Sequence, residues 1–278
     1  MTHQWWRIAV SCREEDTDAV AAAVVAATGQ GVEEPMPGSL LTVATSEPGA
    51  ARLIAELSAA FAEIEGAVMP LVPVDWSVRW RDGIESRTFG RVVLTPSWLP
   101  VTANAGQVVV TIDPESAFGS GEHGSTRAAL ALLERHLLPG ARMLDYGSGS
   151  GILAIAAAKL GASSAIGIEV DDEAFPIADA NAERNGVTDC VTFLVGDADA
   201  LGVLAGPADV ICSNILRTVN TLLLPGIVKA LAPGGLAIFA GMEDAEESLF
   251  RPVLARHGLA VIEDVHDAGW WGVVARLG

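Results

Sequence analysis

The chain has 278 residues and almost no lysine: Lys159 and Lys229 stand against fifteen arginines, a bias that genomic base composition accounts for. Basic charge of any kind is scarce, with 17 lysines and arginines facing 35 aspartates and glutamates for a net charge of −18. A nucleic-acid partner needs a basic face to meet its phosphates, so none is expected. The acids are spread along the chain: residues 1–90 hold 6 arginines and 13 acids, and the remainder holds 11 basic and 22 acidic residues. A surface of this kind suits a basic protein or peptide.

Cysteine is also rare. Cys12, Cys190 and Cys212 are odd in number, far apart and without CxxC or CxxxH spacing, which speaks against a disulfide framework and against a zinc site. No metal is expected, and a reducing cytoplasm is the expected location. Long hydrophobic runs are missing as well: the most apolar stretch, "GILAIAAAKLGASSAIGIEV", is broken by Lys159 and several glycines. The start, "MTHQWWRIAVSCREEDTD", lacks the basic-then-apolar layout of a signal peptide. No membrane partner is therefore expected.

What remains is a chain half hydrophobic, long enough for one large and one smaller domain. Residues 1–75 alternate strand-like and helix-like stretches in the order βαββαβ, which predicts a small α+β, ferredoxin-like domain. A charged, Trp- and Gly-bearing connector, "WSVRWRDGIESRTFG", follows, then two β-rich pieces, "RVVLTPSWLP" and "QVVVTIDP"; residues 76–106 are read as a linker region. From 107 to 278 strands with continuous apolar runs alternate with helices, the pattern of a parallel sheet covered on both faces. The strands "VTFLVGDA" and "ADVICSNIL" follow one another directly in this reading. "LAVIEDV" and "WWGVVARL", joined only by "HDAG", have no room for a crossover and must pair antiparallel. A parallel sheet closed by such a hairpin is the seven-stranded, Rossmann-like layout of class I methyltransferases. Residues 107–278 are accordingly read as the methyltransferase domain.

Chemistry-bearing residues cluster at the predicted strand ends. "LDYGSGSG" places Gly147 and Gly149 where the first strand of this sheet hands over to a helix, so the backbone can approach a ligand closely. The dinucleotide pattern GxGxxG would need glycine at 152, where the chain has Ile152, which counts against a nicotinamide dehydrogenase. Asp145, just before the first glycine, suits an amino group better than a pyrophosphate. Glu169 ends the second strand, where a carboxylate accepts from both ribose hydroxyls of an adenosine. Asp197 holds the matching place after the third strand and is a candidate for the adenine amino group. Asn214, ending the fourth, can orient an incoming amine with its amide and is the candidate catalytic residue.

Together "DPESAFGSGEHGSTRAAL", "LDYGSGSGILAIAAAKLGA", "ANAERNGV", "SNIL" and "LAPGGLAIFAGM" resemble the ribosomal protein L11 methyltransferase family over essentially the whole chain, with counterparts of "RWRDG" and "VVLTPSW" in the family's linker. The resemblance implies a class I fold, S-adenosylmethionine as cofactor with contacts on Thr126, Gly147, Glu169 and Asn214, and a substrate-recognition domain at the N-terminus. It implies methylation of an N-terminal α-amine or lysines of a ribosomal large-subunit protein. A related enzyme acting on another protein's lysine or on a small-molecule amine is the alternative. The chain has Ser120 and Ser125 where the family usually has threonine, and Glu169 where aspartate is usual. Ser125 is the expected N-cap of the following helix, "FGSGEH" a flexible cover with Phe118 as its apolar wall, and His123 a loop-ordering or substrate-contacting residue rather than a base.

Overall fold

A computed structural model describes residues 5–70 and 84–278, which fall in two compact units, 1–79 and 80–278. The proposed domain junction at 75–76 and the "RWRDG" motif at 79–83 lie outside the described residues.

In the first unit β1 (Trp6–Ser11), α1 (Thr17–Thr28), β2 (Glu33–Met36), β3 (Ser39–Ala44), α2 (Glu47–Ala60) and β4 (Glu65–Pro70) follow the expected βαββαβ order. The antiparallel sheet runs β2-β3-β1-β4, the ferredoxin-like arrangement. Alternation along β1 turns Ile8 and Val10 inward, where they meet Val20 and Val24 of α1 and Leu53 and Leu57 of α2 in one core. The Ser46 hydroxyl accepts from the Gly49 N–H to start α2, and Gly29 ends α1 at φ +66°.

The second unit begins with a three-stranded sheet, β5 (Arg87–Phe89), β6 (Val92–Thr95) and β7 (Val108–Thr111). Val92, Leu94 and Val110 of the two expected β-rich pieces are buried in the unit's main core, and β5 adds a short strand inside the connector. The central sheet is built from β8 (Arg142–Tyr146), β9 (Ser164–Glu169), β10 (Val191–Val195), β11 (Ala208–Asn214), β12 (Leu231–Glu243), β13 (Leu259–Asp267) and β14 (Trp270–Leu277). Its order is β10-β9-β8-β11-β12-β14-β13, and only β14 runs against the rest. This is the class I methyltransferase sheet with its terminal antiparallel hairpin.

Alternate residues of each strand serve opposite helical layers. Met143 of β8 and Val210 and Cys212 of β11 join the core under α3 (Gly124–His136), α4 (Ile152–Lys159) and α5 (Phe175–Asn185). Leu144 and Ile211, one residue out of phase, join the core under α6 (Ala198–Ala205), α7 (Arg217–Ala230) and α8 (Glu247–Arg256). Helix α6 corrects the expectation that β10 leads straight into β11. Its eight residues include Gly202, which packs against the Tyr146 hydroxyl, and so short and glycine-bearing a stretch shows little helical signal. Among the described residues no helix is long and apolar enough to cross a membrane. The strand order reverses between β8 and β11, which opens the ligand crevice of such sheets at the carboxyl ends of these strands.

Candidate active site

Two glycine-bearing loops meet at that crevice. Ser150 donates its N–H to the Phe118 carbonyl at 2.9 Å and its hydroxyl to the Gly119 carbonyl at 2.8 Å. Gly149 has φ +50°, and a Cβ there would stand 2.5 Å from the Phe118 oxygen, so only glycine lets the loops close. The loop expected to be a flexible cover is also tied on its far side. Arg87 of β5 pairs with Glu122, and Arg127 of α3 donates to the Glu122 carbonyl while pairing with Asp267. Helix α3 begins at Gly124 with His123 as N-cap, so the expected N-cap, Ser125, lies inside the first turn; its hydroxyl shares a 2.7 Å hydrogen bond with His123 Nδ1.

The loops border a cavity of about 460 Å³, within the range of small-ligand sites. Phe118, Gly147, Gly149, Glu169, Asp197 and Asn214, all read from sequence as site residues, line it. Among the described residues no lysine or arginine does. Glu169 is held by the backbone: its Oε2 accepts from Gly149 N–H at 2.9 Å, and Oε1 accepts from Val170 and Asp171 N–H at 2.8 and 3.2 Å. Asp197 N-caps α6 by accepting from Asp199 N–H at 2.9 Å.

Asp145 and Thr126 do not line the cavity but lie just behind it. The Asp145 side chain is buried, with no hydrogen-bond partner on either oxygen. Desolvation pushes its pKa up to about 7; the Ala154 N–H, outside hydrogen-bonding geometry, pulls more weakly the other way. Cys212, its neighbour across the β8–β11 ladder, is raised further by burial and by that carboxylate. Thr126 is fully buried, and its Oγ1 accepts from Asn214 Nδ2 at 3.2 Å. That bond leaves Asn214 Oδ1 buried without a partner.

His123 and Trp270 complete one wall, with the imidazole between Phe118 and the indole at centroid distances of 5.3 and 4.2 Å. Burial first and the Arg127 charge second lower the His123 pKa, so the ring is neutral at pH 7. Away from the cavity Glu247, Asp264 and His266 gather within 4.8 Å of one another. Arg251 already pairs with both carboxylates at 2.6 Å, and Asp244 holds His266 at 2.7 Å, which leaves little donor capacity for a metal ion.

The family model for ribosomal protein L11 methyltransferase (PrmA) matches residues 39–277. The chain belongs to this family. The PrmA-family enzyme of Pelotomaculum thermopropionicum is 39% identical over 204 residues, covering 73% of this chain and 66% of the relative. That of Thermus thermophilus is 37% identical over 196 residues, covering 70% and 75%. The alignments to the first two relatives span 66% of their length, just under two thirds. The crystal structure of the ribosomal protein L11 methylase from Lactobacillus delbrueckii subsp. bulgaricus is similar at TM-score 0.63 and 28% identity, covering 69% of this chain and 99% of that one.

Three asparagines of this PrmA-family chain, Asn181 and Asn220 buried and Asn185 half-buried, escape a reading by residue type. Asn220 accepts from the Ser213 hydroxyl at 2.7 Å and donates to the Ile215 and Ala240 carbonyls at 2.9 and 3.2 Å, fixing the turn after Asn214 to β12. Asn181 donates to Ser150 and Asp113 carbonyls at 3.0 and 3.1 Å, bracing both loops from α5. Asn185 bonds both backbone groups of Thr111 at 2.8 and 2.6 Å. The motif "ANAERNGV" was the available signal, since two amides four residues apart share one helix face.

Proposed function

We propose that this protein transfers methyl groups from S-adenosylmethionine to amino groups of ribosomal protein L11, either its N-terminal α-amine or lysine side chains. The carrying observation is the Asn214 amide, whose Nδ2 is committed to Thr126 while its Oδ1 is a buried acceptor with nothing to accept from. An unsatisfied buried acceptor costs about 1–3 kcal/mol, so a ligand N–H supplied to it is favoured.

The residues present fit the cofactor. Asp145 and Ser148 carry buried polar atoms without partners beneath the glycine loop, and the Gly149 backbone has no room for a side chain. Bound there, S-adenosylmethionine supplies an electrophilic methyl group on a positively charged sulfur. Glu169, fixed by three N–H groups, keeps about one lone-pair site, on Oε2, for the ribose hydroxyls. Asp145 answers the amino group, Asp197 the adenine amino group, and Phe118 walls off water; Gly147 and Gly149 present backbone. Thr126, implied by resemblance to contact the cofactor, acts here through the Asn214 amide.

Displacement at a methyl group needs a neutral nitrogen on a straight approach. At neutral pH, deprotonating a lysine costs roughly 4 kcal/mol and an α-amine about 1 kcal/mol, so the N-terminus is the less demanding target. Asn214 Oδ1 accepts the amine N–H and aims the lone pair, and the proton leaves to water. The small N-terminal unit is assigned to recognising the protein substrate, with neither nucleic acid nor membrane as partner, and the site of action is the cytoplasm.

Labelled S-adenosylmethionine and purified L11 test the reading. Asn214→Ala is expected to lower transfer at least about a hundredfold while cofactor affinity stays within about threefold. Turnover close to wild type would sink the assignment.

A further inference from the structure

The geometry points to the mouth of this cavity as a docking strip for an extended, basic segment of the substrate whose small apolar side chains flank the target amine. The inference rests on the methyltransferase reading above and concerns how that site chooses its substrate. Phe118, Val170, Leu216 and Val219 line the cavity, yet are 55%, 74%, 65% and 38% exposed. Leu222, 76% exposed, lies one turn beyond Val219 on α7 and carries the strip away from the opening. Single exposed apolar residues are ordinary, but here several border one opening, and three follow closely on Asn214.

Charge selects the occupant. Asp171, Asp172 and Glu173, next along the chain from Val170, are exposed and form no ion pair among the described residues. Arginines near the crevice are committed elsewhere, Arg127 to Asp267 and Arg217 to Glu246. Asp199, exposed on α6, packs against Gly226 of α7 and adds a carboxylate along the same helix. An apolar strip with acids and, among the described residues, no free cation beside it favours a basic, apolar peptide and repels an acidic one. From Leu216 to Leu222 the strip extends about 9 Å along the helix, a length that a chain segment can use and a lone small amine cannot.

The test compares Leu216→Ser/Val219→Ser with wild type, using Leu204→Ser, 81% exposed on α6 and outside the cavity, as control. The double variant is expected to raise KM for L11 about tenfold, with kcat and calorimetric affinity for S-adenosylhomocysteine within about twofold. Neutralising Asp171, Asp172 and Glu173 to their amides is expected to flatten the rise of KM with salt. An unchanged KM, or a loss of S-adenosylhomocysteine affinity in step with KM, overturns the strip. A wild-type chain that leaves L11 unlabelled defeats the proposed substrate instead, and binding of a basic, apolar peptide with a free α-amine then tests the strip directly by the same variants.

Discussion

The two sides of the crevice are finished to different degrees. At the ends of β9 and β10, Glu169 is held by three backbone N–H groups and Asp197 caps a helix, so the polar groups that would face an adenosine are satisfied by the protein itself. At the ends of β8 and β11, Asp145, Ser148 and Asn214 keep buried atoms without partners. A satisfied group is preorganised and contributes to the stability of the fold. An orphaned one costs stability until a ligand arrives. The side at β9 and β10 thus belongs to the scaffold, and the side at β8 and β11 is completed by what binds.

Substitutions on the two sides should therefore move stability in opposite directions. The largest effect is expected at Glu169→Ala, which strips the anchor from the Gly149 and Val170 amides: cofactor affinity should fall about a hundredfold and the ligand-free protein lose about 2 kcal/mol, both read by calorimetry. Asp145→Asn should also weaken the cofactor, by about tenfold, yet stabilise the ligand-free protein. Because the Asp145 pKa rises from 3.8 to about 7 on folding, the folded state holds a proton that the unfolded chain has lost between those values. Wild-type stability then declines as pH climbs from about 4 to 7 and levels off above. The variant should lack that decline and exceed wild type at pH 8 by on the order of 2–4 kcal/mol. A variant less stable than wild type at pH 8 breaks the comparison. The smallest effect belongs to Thr126→Val, which should lower kcat about tenfold with cofactor affinity unchanged, whereas Thr126→Ser restores it.

Much of this was legible in the sequence because the signals are local. Continuous apolar strands separated by helices predict a covered parallel sheet, and the four-residue link "HDAG" forces the final hairpin. Glu169, Asp197 and Asn214 announce themselves as polar residues ending apolar runs. Other features depend on partners far along the chain. Thr126 meets Asn214 across 88 positions and Asn181 meets Asp113 across 68, and no local pattern encodes either pair. Ser125 looks like an N-cap by residue type, but the N-cap of helix α3 is His123, two residues earlier, and the Ser125 hydroxyl turns toward it. Strand β5 hides in a charged connector because it is three residues long, Arg87–Phe89, with a single apolar side chain.

The joint between the two glycine loops also bears on how such sites can be rebuilt. Ser150 reaches across to Phe118 and Gly119, Gly149 leaves room for the Phe118 carbonyl, and Asn181 braces Ser150 from a third segment. A transplant of "GSGSG" alone would arrive without its counterpart. The smallest exchangeable module in a chimera of two such enzymes is the pair of loops with the α5 asparagine that spans them, three segments that must be inherited or engineered as one.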